Sequence, residues 1–223
     1  MNKKAWMAFI VRAVLLCCCW IGLHGAVFSA DGFMASDQLL YFTYQSNLWV
    51  LVMTAVYLVV SIIRLVKGRV SIPRALQIAR YAVAVAITIT FLVFWGLLSP
   101  SFRGPGLFSL NNIIMHTVVP ILFVADFLLF DRGKPMGRLS ALWAASLPLY
   151  YLLFAFAHAA IYPAYRFHDG SRYAYFFLDA DTLGWFSFEA GMGVAWWILI
   201  LTCATLLLGY GYRFIQRKTI KTG

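Results

Sequence analysis

Acidic charge, cysteine, internal repetition and strand-like alternation are all scarce in this sequence. Only 8 Asp and Glu stand against 18 Lys and Arg. A transmembrane β-barrel shows ~10-residue segments of alternating hydrophobicity; none occur here, which excludes that architecture. No internal repeat is visible and no low-complexity linker interrupts the chain. A single domain is therefore expected, and the repeated halves common in transporters are missing. The four cysteines, Cys17, Cys18, Cys19 and Cys203, lie in apolar stretches and make no disulfide framework; they read as small apolar packing residues. The H-E-x-x-H spacing of helix-borne zinc proteases is absent.

What the chain has in quantity is apolar sequence. Of 223 residues, 63% are hydrophobic, against roughly 45–50% in soluble domains, so the chain calls for lipid as its solvent. Six apolar stretches, at about 7–28, 47–66, 78–99, 112–130, 140–162 and 190–212, each approach the ~20 residues a helix needs to cross a ~30 Å hydrocarbon core. Backbone groups in lipid have to be satisfied internally, so the spans are helices. The expected fold is all-α: residues 1–223 form one polytopic membrane domain of six transmembrane helices. A retained first span, rather than a cleaved signal peptide, is expected: Arg12 interrupts it, and a cut after Ala30 would leave bulky Phe28 three positions before the site.

The net charge of +10 is unevenly spread. Lys3, Lys4 and Arg12 lie at the N-terminal end. Arg64, Lys67, Arg69, Arg74 and Arg80 lie between spans two and three, Arg132, Lys134 and Arg138 between four and five, and Arg213, Arg217, Lys218 and Lys221 close the chain. Only Arg103, Arg166 and Arg172 fall on the other side. By the positive-inside rule both termini are cytoplasmic. Basicity distributed in this way orients a membrane protein, and no nucleic-acid partner is expected.

The remaining polar residues gather on the non-cytoplasmic side. The longest loop, 163–189, is rich in Tyr, Phe and Trp. It reads either as an interfacial aromatic belt with Arg anchors or as a lid whose Arg166 or Arg172 meets an anionic substrate group. His24, His116, His158 and His168 all map to this half, and intramembrane ionisable groups usually face a cavity or a partner. Thr43 opens span two in TYQSN, where Ser46 or Asn47 is expected to act as the helix cap. His116 follows a cap at Asn111 or Asn112; Asn112 is its i−4 neighbour, and Pro120, four residues on, withholds an N–H from its carbonyl. A hydroxyl and an imidazole at one depth are the minimum parts for nucleophilic hydrolysis. A packing histidine bonded to a neighbouring oxygen fits the same residue. Asp126, ~15 Å along the helix from His116, reads as a structural partner of Arg64, Lys67 or Arg80. Two other readings use the same residues. His24, His116 and His158 with Glu189 or Asp37 would make a zinc hydrolase site, and a polar outer pocket also suits a transporter or a non-catalytic lipid-binding protein.

FTYQSN at span two, HTVVPILFVADFLLFD in span four, and PLYYL followed by YAYFFLDADTLGW resemble the bacterial branch of the androgen-induced protein family. These are integral membrane threonine hydrolases of fatty acid esters of hydroxy fatty acids. The resemblance runs from about residue 40 to 210. It implies Thr43 as nucleophile and His116 as base, a fatty acyl ester as substrate, no cofactor or metal, no obligate protein partner, and a bacterial cell membrane as location. Gln45, Asn47 and the first amides of span two are then the nearby oxyanion donors, Asn112 a neighbour able to orient the imidazole, and His158, Arg166 and Arg172 further binding residues.

Overall fold

The computed structural model describes residues 3–29, 32–33, 37–101, 105–130 and 136–221. Arg103, Arg132 and Lys134, part of the charge pattern above, lie outside the described residues. Among the described residues, six helices are long and apolar enough to cross a membrane: α1 Lys3–Val27, α2 Phe42–Lys67, α3 Arg74–Ser101, α4 Leu110–Leu129, α5 Leu139–Ile161 and α6 Val194–Lys218. The chain is an all-α, multi-pass membrane protein. An even number of crossings puts both termini on one side, here called the terminal side; the 163–189 loop lies on the far side.

The helix ends follow local chemistry, with two corrections to the expected caps. α2 starts at Phe42, behind an extended Tyr41 (φ −89°, ψ 139°) whose side chain makes no cap bond. The Tyr41 carbonyl instead accepts from the N–H groups of Tyr44 and Gln45. Ser46 and Asn47 are therefore inside the helix, not at its cap, and Thr43 sits in the first turn. On α4 the cap is Ser109, whose hydroxyl accepts from the Asn112 N–H, not Asn111 or Asn112. At the other end of α2, Gly68 takes φ 75° and returns its N–H to the Arg64 carbonyl. That left-handed conformation is open to glycine at little cost.

α3 is the central helix. Residues 80–87 are buried on every face, in a run of alternating small and branched side chains (Ala82, Ala84 and Ala86 between Val83, Val85 and Ile87). Small residues let helices approach where lipid supplies no hydrophobic drive between them. α2 and α4 pack against α3, with α1 seated on α2 and α4, and α6 and the start of α5 also pack against α3.

A buried charge cluster ties four of these helices together on the terminal half. Asp126 of α4 accepts from Arg12 Nε of α1 at 2.9 Å and from the Arg80 guanidinium of α3. Arg12 also donates to the Tyr57 carbonyl (3.0 Å) and Ser61 Oγ (2.6 Å) of α2. Arg80 lies over the Tyr57 ring at 4.0 Å, a cation–π contact that strengthens when desolvated. Arg80 was among the partners expected for Asp126. The Arg12 bond was not foreseen, because Arg12 read simply as one of the basic residues near the N-terminus.

α5 and α6 pack closely where residues 139–145 begin α5 and diverge toward the far side. Their pinched end depends on Gly209. A Cβ there would come within 2.5 Å of both Ala144 Cβ and Tyr81 Oη. The gap left by the divergence is where the site opens.

Candidate functional site

Thr43 and His116 meet. Thr43 Oγ1 lies 3.2 Å from His116 Nε2, and both residues are 8% exposed. The other ring nitrogen, Nδ1, is 3.1 Å from the backbone carbonyl of Asn112. A carbonyl can only accept, so Nδ1 carries the proton, and in a neutral ring Nε2 is then the bare acceptor facing the Thr43 hydroxyl. Asn112 orients the imidazole through its main chain; its side-chain Nδ2 donates elsewhere, to the Leu107 carbonyl at 2.7 Å. The His116 ring is stacked on Phe94, with centroids 3.7 Å apart and planes 19° from parallel. Its plane and its tautomer are thus both fixed.

Two π-turns put these groups at one level. α3 passes through one at Phe94–Leu98 and α4 through another at Ile114–Val118. Such turns insert one extra residue per turn and re-aim side chains, often at functional sites. They are joined by the Phe94–His116 stack and by Trp95 Nε1 donating to Thr117 Oγ1 at 3.0 Å. In α4 the Val119 N–H reaches back five residues to the Ile114 carbonyl. Pro120 has no N–H for the next bond in that register, so Met115 presents its carbonyl to an outside donor, Asn47 Nδ2 of α2 at 3.2 Å. In an unbroken α ladder the carbonyl that Pro120 leaves without a partner is that of His116. Asn47 Nδ2 also donates to the Thr43 carbonyl at 2.8 Å. One amide therefore holds the backbone of Thr43 and the residue next to His116. Ser46 donates to the same Thr43 carbonyl (3.0 Å) and pairs with Thr90 Oγ1 (2.8 Å).

Thr43 faces an apolar cavity of ≈ 90 Å³. Its walls come from α3 (Ile89, Val93, Leu98), α5 (Pro148, Leu149, Leu152), α6 (Ile198, Leu201) and the far loop (Phe177, Leu178). His116 is not on the wall; it stands behind Thr43 and Phe94. The far loop does not merely lie on the surface. Tyr173, Tyr175, Phe177 and Leu178 are buried in the core, and the Tyr175 phenol accepts from the Thr43 N–H at 3.4 Å. That N–H is one of the orphan donors of a first helical turn. Burial pushes the Tyr175 phenol up to about 12, against the opposing pull of its hydrogen bonds at Thr43. The sequence singles out no tyrosine of this loop. The signal for this one was its place in an aromatic loop, which does not distinguish it from its neighbours.

The other residues singled out in the sequence lie elsewhere. Gln45 Nε2 donates to the Leu39 carbonyl at 3.0 Å and anchors the segment before α2. His158 sits among Phe154, Tyr162, Tyr165 and Phe167, beside a separate small cavity that Arg172 also lines. Arg166 is exposed and donates to the Pro163 and Tyr165 carbonyls of its own loop (2.6 and 2.7 Å). Arg172 makes a two-point ion pair with Asp181. Neither arginine lines the cavity at Thr43. His24 is exposed against Trp20 and Phe28, and Glu189 is exposed in the loop. Among the described residues no group of three or more His, Cys, Asp and Glu is placed to hold a metal ion, so the three-histidine set of the zinc reading does not assemble.

Fold and site together define a six-helix membrane protein with a hydroxyl–imidazole pair buried beside an apolar cavity between its helices. No family model, no curated protein and no solved structure matches the chain.

Proposed function

We propose that this protein is an intramembrane hydrolase of fatty acyl esters, with Thr43 as nucleophile and His116 as general base. The observation that carries the reading is the 3.2 Å approach of Thr43 Oγ1 to a His116 Nε2 left unprotonated by the Asn112 carbonyl. A nucleophile, a base within hydrogen-bond reach and a third group orienting the base are the recurring signature of covalent hydrolases. The resemblance of FTYQSN and HTVVP to the bacterial branch of the androgen-induced protein family supports the same assignment. The proposed orientation has both termini in the cytoplasm and the site toward the outer leaflet of a bacterial cell membrane.

In the proposed reaction Nε2 takes the Thr43 proton as Oγ1 bonds to the ester carbonyl carbon. The carbonyl π pair moves onto oxygen. Collapse of that intermediate breaks the ester C–O bond, and the departing alkoxide takes the proton from Nε2, leaving an alcohol and an acyl-threonine. Water then gives a proton to Nε2 and attacks the acyl carbon. The second collapse returns the proton to Oγ1 and frees a carboxylic acid. The Asn112 carbonyl fixes the tautomer but brings no full negative charge, so the imidazolium is stabilised less than by a triad carboxylate.

The apolar walls and the gap between α5 and α6 support a lipid substrate. The cavity, open on one side, has a volume of ≈ 90 Å³, smaller than the ~150 Å³ that takes up one benzene. It suits the reacting ester and a few carbons, with the remaining chain lying in the gap toward lipid. The test is ester turnover by purified protein in lipid nanodiscs. Thr43→Ala should fall to background, and His116→Ala should lose ~10²–10⁴-fold, the usual share of a general base. Undiminished turnover in both folded variants would leave the pair as an interhelical packing contact and end the hydrolase reading.

A further inference from the structure

We infer that the Tyr175 phenol is the oxyanion donor of this site, an assignment that rests on Thr43 being the nucleophile. The donors suggested by sequence proximity are committed elsewhere. Gln45 Nε2 is bonded to the Leu39 carbonyl, and Asn47 Nδ2 to the carbonyls of Thr43 and Met115. Three of the four other hydroxyls on the cavity wall also have acceptors. Tyr151 donates to the Leu40 carbonyl at 3.0 Å, Thr205 to the Leu201 carbonyl at 2.7 Å, and the Thr90 proton goes to Ser46 Oγ (2.8 Å) or the Ala86 carbonyl (3.2 Å). Tyr175 is different. It lines the cavity, and its oxygen accepts from the Thr43 N–H.

The phenol is also held rigidly, which electrostatic stabilisation requires. Its ring stacks on Phe177 (5.2 Å, 4°) and meets the Tyr41 and Tyr151 rings edge-on at 6.0 Å each. When Oγ1 bonds to the acyl carbon, the substrate oxygen gains the electron pair one bond away, and the phenol O–H turns to it. The phenol donates a hydrogen bond and keeps its proton. Collapse returns the pair to carbon and releases the contact. A phenol pushed up to about 12 stays protonated through physiological pH, so the donor is always present.

A cap for the first turn of α2 is the competing role, and kinetics separates the two. Tyr175→Phe should lower kcat ~10²–10³-fold, as loss of one such donor does, with KM little changed and the melting temperature lowered only by loss of the single Thr43 N–H contact. A Tyr175→Phe protein whose kcat stays within about threefold of the parent overturns the assignment, since a lost donor costs far more. Trifluorotyrosine at position 175 keeps the ring shape while making the phenol more acidic, which covers a Phe variant that misfolds. The donor role requires a shifted kcat; an unchanged kcat overturns it. Turnover by the parent protein is read in the same assay. Its absence overturns this assignment together with the hydrolase reading, whereas parent turnover with an unaffected Tyr175→Phe variant overturns this assignment alone.

Discussion

At Asn47 a single side-chain amide bonds the Thr43 carbonyl on its own helix and the Met115 carbonyl on the next. It is fully buried, and it touches neither reacting atom. Its effect is positional. Asn47→Ala leaves the buried Met115 carbonyl short of a donor, at about 1–3 kcal/mol for an unsatisfied group, and leaves the Thr43 carbonyl to Ser46 Oγ alone among side chains. It should lower the melting temperature and also separate Thr43 from His116, reducing turnover by more than the stability loss explains. Asn47→Asp offers no amide donor and should fail similarly; kcat measured beside thermal unfolding checks both. Thr43 and His116 were legible in the sequence as polar residues at the mouths of two apolar runs. Asn47 was legible only as polar, and read as a cap or an oxyanion donor, because its actual partner depends on a π-turn in another helix. Tyr175 was hidden by its surroundings, since a loop full of aromatics names no single ring.

At the scale of elements, the π-turns and the charge cluster divide the work. The π-turns shape the far half, and the Arg12–Asp126–Arg80 cluster joins α1, α3 and α4 in the terminal half. Asp126→Ala would leave two arginines facing each other in a dry interior. Breaking a buried ion pair from one side costs about 3–5 kcal/mol, so this variant should unfold or fail to accumulate, as detergent-solubilised thermal melts would show. Gly209 sets the spacing at the base of the α5–α6 gap. Gly209→Val should cost about 1–3 kcal/mol by overpacking and widen that end, read as a lower melting temperature. Span number and approximate limits followed from apolar length alone. The π-turn in α4 was half legible, because Pro120 announced an interrupted ladder without fixing the register. The one in α3 carries the same partial signal, since Pro100 follows Leu98 by two residues as Pro120 follows Val118.

For the whole molecule, the far loop is both an interfacial surface and part of the site. Phe186 and Phe188 are 72% and 66% exposed, as expected of aromatics at headgroup depth, while Tyr175 and Phe177 from the same loop are buried. The sequence offered belt and lid as alternatives; the loop supplies exposed rings for the first and a buried ceiling for the second. Arg172 holds the Asp181 carboxyl below its ordinary range, so the ionised pair persists as pH falls through that range. Its contribution to holding the loop is present above the unfolded carboxylate value and lost as pH drops through the lowered folded value. The protection factors of residues 172–183, that is exchange corrected for its intrinsic pH dependence, should therefore stay constant from pH 8 to 5 and fall only in strong acid. The proposed orientation predicts that, in a cysteine-free background, an impermeant maleimide reaches a cysteine placed at Asp169 in intact cells and one placed at Lys218 only after lysis.

The central claim is that Thr43 is a nucleophile driven by His116, and covalent trapping tests it most directly. Purified protein is treated with a fluorophosphonate and the modified residue located by peptide mass spectrometry. The account predicts one adduct, on Thr43, absent in Thr43→Ala and formed far more slowly in His116→Ala. An adduct on another residue that persists undiminished in Thr43→Ala, or no adduct in a protein that turns over esters, would contradict it.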